Sequence, residues 1–228
     1  FDDAVAASDA LDIALTKRGK HAGAEIPMCG VPVHSAESYL NRLIRKGFRV
    51  AVCEQTEDPA EAKKRGAKSV VRREVVRLVT PGTLTEDSLL EARQSNYLAA
   101  VGRARDEHAL AWLDMSTGQF QVMAVAAGEL GDRLAALLPG ELLAAESMLE
   151  DPASTPALED WRKILTPLPA QDFDSTAGER RLKAAYGIAA LDAFGSFGRA
   201  EVAAAGALLA YVEATQIGRR PLLQPLRA

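Results

Sequence analysis

Three carboxylates lie near the ends of strands that the sequence pattern predicts in the second half of the chain. They are Asp114, in the stretch LDMSTGQF, and the later residues Glu146 and Asp172. Two or three carboxylates that converge on Mg²⁺ would form the site of a metal-dependent nuclease. A simpler interpretation is that Asp114, with Ser116, Thr117 and Gly118 shortly after it, builds a hairpin turn. We favour the turn, because a fold alone does not carry a catalytic function.

Motifs that bind nucleotides or metals are missing from the sequence. It has no GxxxxGK[ST] phosphate loop, no GxGxxG fingerprint and no GxSxG nucleophile motif. The three histidines are scattered, and Cys29 and Cys53 form no CxxC pair, which argues against a zinc site. We therefore predict no catalytic residue, no metal ligand and no cofactor in this chain.

Basic residues are concentrated in one part of an acidic chain. The net charge is −4, yet between Arg42 and Arg77 there are 11 Lys+Arg against 5 Asp+Glu. Residues 80–228 hold 13 Lys+Arg against 20 Asp+Glu. A locally basic region is compatible with contacts to phosphates, and a solvated basic face without a partner explains it equally well. The charge distribution alone leaves both interpretations open.

Length and composition suit a folded protein of two domains. The chain has 228 residues, of which 48% are apolar. Its first residues, FDDAVAASDA, show no export signal, and no apolar run approaches the roughly 18 residues that span a bilayer. With two cysteines and no export signal, we expect reduced thiols, a cytoplasmic location and no membrane contact.

The first third of the chain has the pattern of a small α/β unit. Apolar residues alternate from Leu11 to Leu15, which indicates a strand at 11–16, and the glycine-containing stretch Lys17–Glu25 is predicted as a loop. Ser35 is the candidate cap of the helix that follows it. The remaining predicted elements are a helix at 36–46, a strand at 48–53, a short helix or loop at 59–68 and a strand at 70–79.

The second half has the pattern of a meander followed by alternating helices and strands. Three strand candidates are joined by the short polar turns RARDEH and STG, which favours an antiparallel meander. The whole order fits a mixed sheet covered by helices and matches the start of a ribonuclease H-like fold. The predicted strands are 97–101, 109–115, 119–125, 141–145 and 164–168, and the predicted helices are 129–138, 179–186 and 199–216.

An acidic stretch at Glu86–Arg93 separates the two halves. We therefore predict an α/β protein with a first domain at 1–83, a linker at 84–95 and a second domain at 96–217. The tail at 218–228 contains two prolines and is predicted to be a linker toward a further domain.

Four segments, in this order and at this spacing, resemble the N-terminal part of the MutS family of bacterial mismatch-repair proteins. The segments are LDIALTKRG at 11–19, IPMCGVPVHS at 26–35, CEQTEDP at 53–59 and VVRLVTPGT at 75–83. The second half resembles the family more loosely, through ALAWLDMSTGQF and the stretch 139–143. The resemblance implies a small mixed α/β mismatch-recognition domain, followed by a ribonuclease H-like connector domain without nuclease activity.

The resemblance also assigns DNA contacts to residues of the first domain. In the family, a Phe-x-Glu motif inserts an aromatic ring into the base stack; we expect it to precede the stretch matching Phe1–Ala4 and to be missing here. Lys17 and Arg18 match a basic loop that would contact phosphates near the mismatch. Met28, on the turn at Pro27, matches an apolar position near the wedge. The alternatives are a solvated loop for the two cations and a core position for Met28.

The second domain would, by the same resemblance, join the mismatch-binding unit to the ATPase parts of a longer protein and help to receive MutL. Arg180 and Arg181, on the helix that begins near Ala177, would be exposed on the MutL-docking surface. The implied function is recognition of mismatched double-stranded DNA by a homodimeric parent protein that uses ATP and Mg²⁺. Two alternatives stay open. One is a Mg²⁺-dependent nuclease that uses Asp114, and the other is an interaction module without affinity for DNA, which the acidic second half supports.

Overall fold

The structure, a computed structural model, describes residues 2–66, 69–84, 95–151, 155–217 and 221–228. The chain divides into two compact units, residues 1–50 and 51–228. Almost all of the predicted linker 84–95 lies outside the described residues, as do Phe1 and residues 218–220. The predicted domain boundary therefore stays a prediction. Among the described helices, none combines the length and apolar character that crossing a membrane requires.

The first unit contains two helices and a hairpin. In chain order they are helix α1 (Asp2–Leu11), strands β1 (Thr16–His21) and β2 (Ala24–Met28), and helix α2 (Ala36–Arg45). The two strands are antiparallel. The turn between them has positive φ at Ala22 (50°) and Gly23 (84°), as the favoured two-residue hairpin turn requires.

The predicted strand at 11–16 and the predicted loop Lys17–Glu25 are both wrong. Leu11 is the buried end of α1, with 4% of its surface exposed, whereas Leu15 is 45% exposed and lies in no regular element. The apolar alternation therefore came from a helix end followed by an irregular segment. The strand is instead TKRGKH, which has no apolar alternation and pairs because the turn returns the chain onto it.

Helix α2 has the predicted extent, but Ser35 makes no capping hydrogen bond with its side chain. A capping side chain needs an extended backbone, and Ser35 instead ends a 3₁₀ turn with φ −107° and ψ 0°. Arg42 and Lys46 donate hydrogen bonds to the carbonyl oxygens of Leu11 (2.6 Å) and Ala10 (2.5 Å). The last carbonyls of a helix lack partners within it and carry partial negative charge. The two cations therefore stabilise the end of α1.

A small sheet opens the second unit. Strands β3 (Val50–Gln55) and β4 (Arg73–Val79) pair, with the short helix α3 (Pro59–Lys64) between them in the chain. All three elements were predicted to within a few residues. The first residues of β4 are exposed, whereas Val79 is fully buried. Strand β4 thus runs from the surface into the interior of the second unit.

The core of the second unit is a five-stranded mixed sheet. Its strands are β5 (Tyr97–Ala104), β6 (Glu107–Asp114), β7 (Phe120–Val125), β8 (Glu141–Ala145) and β9 (Leu165–Leu168), in the order β7-β6-β5-β8-β9. The first three form an antiparallel meander, and β8 pairs in parallel with β5 and with β9. The predicted meander and mixed sheet are confirmed.

Helices cover this sheet, and one of them is almost wholly buried. They are α4 (Leu130–Leu137), α5 (Glu146–Leu149), α6 (Thr155–Glu159), α7 (Ser175–Tyr186) and α8 (Arg199–Thr215). Helix α8 has 13 of its 17 residues buried, because it packs between the sheet and α7. A Cβ at Gly102 would lie 2.3 Å from the Ala200 carbonyl oxygen, and one at Gly206 would lie 2.3 Å from Gly178 Cα. Glycines therefore permit the close approach on both sides of α8.

The described part of the tail, residues 221–228, lies against the free edge of β7. The Val122 amide donates to the Arg227 carbonyl (2.8 Å), and the Arg227 amide donates to the Phe120 carbonyl (3.2 Å). Leu226 is 1% exposed. The tail was predicted to be a linker, and its described residues are held on the sheet edge.

Candidate nucleic-acid interface

The four predicted DNA contacts all lie on the hairpin of β1 and β2, residues 16–28, which we name the basic hairpin. Lys17 pairs with Pro27, and Thr16 pairs with Met28. The register shifts between Lys17 and Lys20, next to Arg18. The hairpin thus brings together residues that are about ten positions apart in the chain.

The strand register places these side chains on two faces of the hairpin. Successive residues of a strand point to opposite faces, and paired residues point to the same face. Lys17 and Pro27 therefore share one face, and Thr16 and Met28 share the other. Met28 is 37% exposed and Pro27 is half-buried, so neither is a fully buried core residue. A DNA duplex that lies on one face of the basic hairpin would therefore directly contact only some of the four predicted residues.

The two cations of the basic hairpin differ in their partners. Lys17 forms an ion pair with Glu25, and the two side chains are 67% and 50% exposed. An ion pair this exposed contributes little to stability, so a phosphate could replace Glu25 at low cost. The side chain of Arg18 is exposed and makes no ion pair or hydrogen bond within the part of the chain that the structure describes.

Several cations of the basic stretch from Arg42 to Arg77 serve the fold instead. Arg42 and Lys46 close the end of α1. Arg65 forms two hydrogen bonds to the Glu57 carboxylate, at 2.5 and 2.7 Å. The positive count in this stretch therefore overstates the charge that is free to meet DNA.

The CEQTEDP segment, which matched the family, also has a folding role. The Arg65 guanidinium and the Arg72 backbone N–H, at 2.6 Å, both donate to Glu57. The hydrogen bonds from Arg65 and then from Arg72 lower the pKa of Glu57 to about 2. Asp58 caps α3 by accepting a hydrogen bond from the Ala60 amide at 2.7 Å. This segment therefore organises a loop.

The carboxylate of Asp114 is used by the turn between β6 and β7. It accepts hydrogen bonds from the Ser116 amide (2.9 Å), the Ser116 hydroxyl (2.6 Å) and the Thr117 amide (3.2 Å). The turn interpretation is confirmed. Within the described ranges, no group of three or more His, Cys, Asp or Glu side chains is placed to hold a metal ion. The nuclease alternative is not favoured.

The two arginines predicted for MutL docking differ in exposure. Both lie on α7. Arg180 is exposed, but Arg181 is half-buried and donates to the Asp172 carbonyl oxygen at 3.4 Å. The expectation that both are exposed is therefore wrong for Arg181. The Arg181 side chain reaches the 3₁₀ turn before α7, and the sequence pattern did not predict this contact.

Sequence reasoning missed one polar centre, the buried side chain of Glu141. It is 1% exposed and accepts four hydrogen bonds from three parts of the second unit. Two of the donors belong to the TPGT residues of the fourth family segment. A charged residue that opens an otherwise apolar strand, ELLAA, was the available signal.

The comparisons with known proteins agree with this two-domain α/β fold. Residues 1–88 match the family model for MutS domain I, and residues 96–224 match the model for MutS domain II. The chain therefore belongs to the MutS family of DNA mismatch repair proteins.

Similar curated proteins carry the same description. The DNA mismatch repair proteins MutS of Ruegeria sp. (strain TM1040), Dinoroseobacter shibae and Paracoccus denitrificans are 62%, 64% and 61% identical to it. The alignments cover 99%, 98% and 99% of this chain, and 26%, 25% and 25% of the relatives. The chain thus spans about a quarter of the length of the curated relatives it matches.

Proposed function

We propose that this chain is the DNA-facing and connecting part of a longer MutS protein, and that it binds the DNA backbone near mispaired or unpaired bases. Family membership of both domains supports the role in mismatch repair. The observation that carries the DNA assignment is the basic hairpin, on which Lys17 and Arg18 are exposed. Their contacts would be to phosphates, which position a protein on a duplex without specifying a base.

Met28 and Pro27 would act beside these cations. The exposed thioether of Met28 lies on the face opposite Lys17 and would meet the apolar surface of an unstacked base. Pro27 shares the face of Lys17 and would bring the backbone close to the duplex. Met28 and Pro27 would thus support the contact with DNA, and general affinity would depend on the cations.

Fluorescence anisotropy of this chain with a one-base-bulge duplex and its matched control tests the proposal. We expect weak and equal binding to both duplexes, with a logarithmic salt slope of about −2 for two phosphate contacts. Clear preference for the bulge would contradict a mainly positioning role for the hairpin. No binding at any salt concentration would contradict the DNA assignment and would favour an interaction module.

The second domain would relay between the DNA-binding unit and MutL. We expect Arg180→Glu, in the longer protein, to lower MutL recruitment in a pull-down while DNA affinity stays unchanged. Arg181→Glu needs a separate measurement, because Arg181 is half-buried and its loss would disturb the turn at Asp172. Arg162→Glu, an exposed change in the turn between α6 and β9 that removes only an exposed ion pair with Glu159, is the control. Unchanged recruitment in Arg180→Glu would contradict the docking assignment.

The remaining activities belong to the longer protein. Binding of ATP and Mg²⁺ and formation of a homodimer would lie in the three quarters of the relatives that this chain does not span. A cytoplasmic location is part of the same proposal. A nuclease that uses Asp114 has no support from the geometry, because the turn occupies its carboxylate.

A further inference from the structure

Glu141 is a buried carboxylate that receives hydrogen bonds on both oxygens. Oε2 accepts from the Thr80 hydroxyl (2.5 Å) and the Gly82 amide (3.1 Å), and Oε1 accepts from the hydroxyls of Thr166 and Tyr211 (2.7 Å each). Burial of a charge is costly unless its hydrogen bonds are satisfied. None of the ion pairs of the described residues includes Glu141, so neutral donors satisfy it.

The donors on Oε2 belong to Thr80–Thr83, which we name the joint segment. Thr80 and Thr83 are fully buried and bond to each other, amide to hydroxyl at 3.1 Å and hydroxyl to hydroxyl at 2.9 Å. A Cβ at Gly82 would lie 2.7 Å from Glu141 Cβ and 2.8 Å from Leu98 Cδ1. Glycine is therefore required for space, and the joint segment is closely packed against β5 and β8.

The joint segment connects elements of the two family domains. It follows β4 directly, within the part that matches MutS domain I, whereas Glu141, Thr166 and Tyr211 lie in the part that matches MutS domain II. Two more hydrogen bonds join the same parts, from Asn96 Nδ2 to the Pro81 carbonyl (2.7 Å) and from Gln216 Nε2 to the Leu78 carbonyl (3.4 Å). The compact unit 51–228 accordingly includes β4 together with the five-stranded sheet.

We infer that Glu141 is a positioning residue that fixes the end of β4 to the sheet of the second domain. Its carboxylate is the common acceptor for the joint segment, β9 and α8, so removing it would release the joint segment while leaving the sheet intact. Strands β3 and β4 would then lose their fixed direction relative to the sheet. This inference rests on the proposed function where it concerns DNA, since β3 and β4 lie in the part that matches MutS domain I, to which the proposed DNA contacts also belong.

Amide hydrogen exchange of this chain, measured by NMR, tests the joint without any ligand. In Glu141→Met the buried Gly82 amide loses its acceptor. We expect exchange at Gly82 and Thr83 to rise about tenfold or more relative to the strand amides of Ala100 and Ala111, the factor for a hydrogen bond to a charged group. An equal rise at all four amides would mean general destabilisation and would overturn the inference.

Tyr211→Phe is the matched control, because it removes one donor from Oε1 and leaves the carboxylate on the joint segment. We expect the exchange ratio between Gly82 and the strand amides to stay at its wild-type value. A rise as large as in Glu141→Met would overturn the inference. If Glu141→Met does not fold, Glu141→Gln replaces it, with an expected smaller rise at the same two amides. An unchanged ratio in Glu141→Gln would then overturn it.

A second measurement addresses the DNA role in the longer protein. We expect Glu141→Gln to reduce the preference for a bulged duplex over a matched one, with affinity for the matched duplex unchanged because the basic hairpin is intact. If the wild-type protein shows no preference for the bulged duplex, the proposed function is wrong. The hydrogen-exchange measurement then still tests whether Glu141 fixes the joint segment to the sheet. If wild type discriminates and Glu141→Gln discriminates equally, transmission through the joint is wrong.

Discussion

The basic hairpin and the joint segment both match the MutS family, and they are built in opposite ways. The side chains of Lys17 and Arg18 are exposed and meet at most one weak partner. In the joint segment, Thr80 and Thr83 are fully buried and find all their partners within the protein. A segment that is polar, exposed and without strong internal partners is available to an external ligand. A segment that is polar, buried and satisfied serves the fold.

The CEQTEDP segment resembles the joint segment in its internal hydrogen bonds, although every residue of it except Glu57 is exposed. Glu57 and Asp58 look like candidates for chemistry in the sequence, yet their hydrogen bonds shape a loop and cap a helix. Resemblance to a family therefore marks both kinds of residue, and their hydrogen-bond partners within the protein distinguish them. The DNA assignment rests on the basic hairpin for this reason.

The largest expected effect comes from adding one methyl group to the joint segment. Gly82→Ala places a Cβ within 2.8 Å of two side chains, and overpacking of this kind costs about 1–3 kcal/mol. The matched control is Gly30→Ala in the first unit, where an added Cβ meets nothing within 4 Å and should cost less than about 0.5 kcal/mol. Urea denaturation of both variants measures the difference. Equal costs would show that the joint segment is not closely packed.

A smaller effect is expected from acid, through Glu57. Its folded-state pKa is lowered from 4.5 to about 2, so the carboxylate contributes stability above pH 4.5 and loses that contribution as the pH falls to about 2. Glu57→Gln should therefore be less stable than the wild type at pH 7, and the difference should shrink between pH 4.5 and 2. Denaturation at a series of pH values measures this. A difference that is constant with pH would contradict the charged hydrogen bonds to Arg65 and Arg72.

The smallest effect is expected at the ion pair of the basic hairpin. Glu25→Gln releases Lys17 from an exposed pair worth about 0–1 kcal/mol, so stability should hardly change. Affinity for duplex DNA should rise slightly, by about fivefold at most, because Lys17 no longer has a competing carboxylate. Anisotropy at low salt is the appropriate measurement. A fall in affinity would show that Glu25 positions Lys17 for DNA.

The sequence pattern predicts the second half of the fold better than the first. Helix α8 begins at the predicted residue and ends one residue before the predicted end, and the three meander strands were also predicted. Long apolar runs and apolar alternation in the sequence indicate which residues are buried. Strand β1 was missed because TKRGKH is exposed along its whole length. Its existence depends on the turn at Ala22 and Gly23 and on pairing with β2.

Contacts between distant segments were beyond the sequence pattern. The tail packs so closely against Gly118 that an added Cβ there would lie 1.9 Å from the Leu222 carbonyl oxygen. No local sequence signal connects these two residues. The same is true of Glu141, whose donors lie 25 to 70 positions away in the chain. Of the candidate site, the residue types were accessible from resemblance, whereas the two faces of the hairpin and the burial of Arg181 required the structure.

Charge reversal on the basic hairpin, made in the longer protein, tests whether the hairpin contacts DNA phosphates. We expect Lys17→Glu with Arg18→Glu to weaken binding to bulged and matched duplexes by the same factor and to lower the salt slope by about 2. The matched control, Arg162→Glu with Lys163→Glu, reverses an exposed adjacent pair in the second unit and should bind like the wild type. Unchanged binding in the hairpin variant would show that the hairpin does not contact phosphates, and a loss confined to the bulged duplex would show that its contacts do more than position the protein.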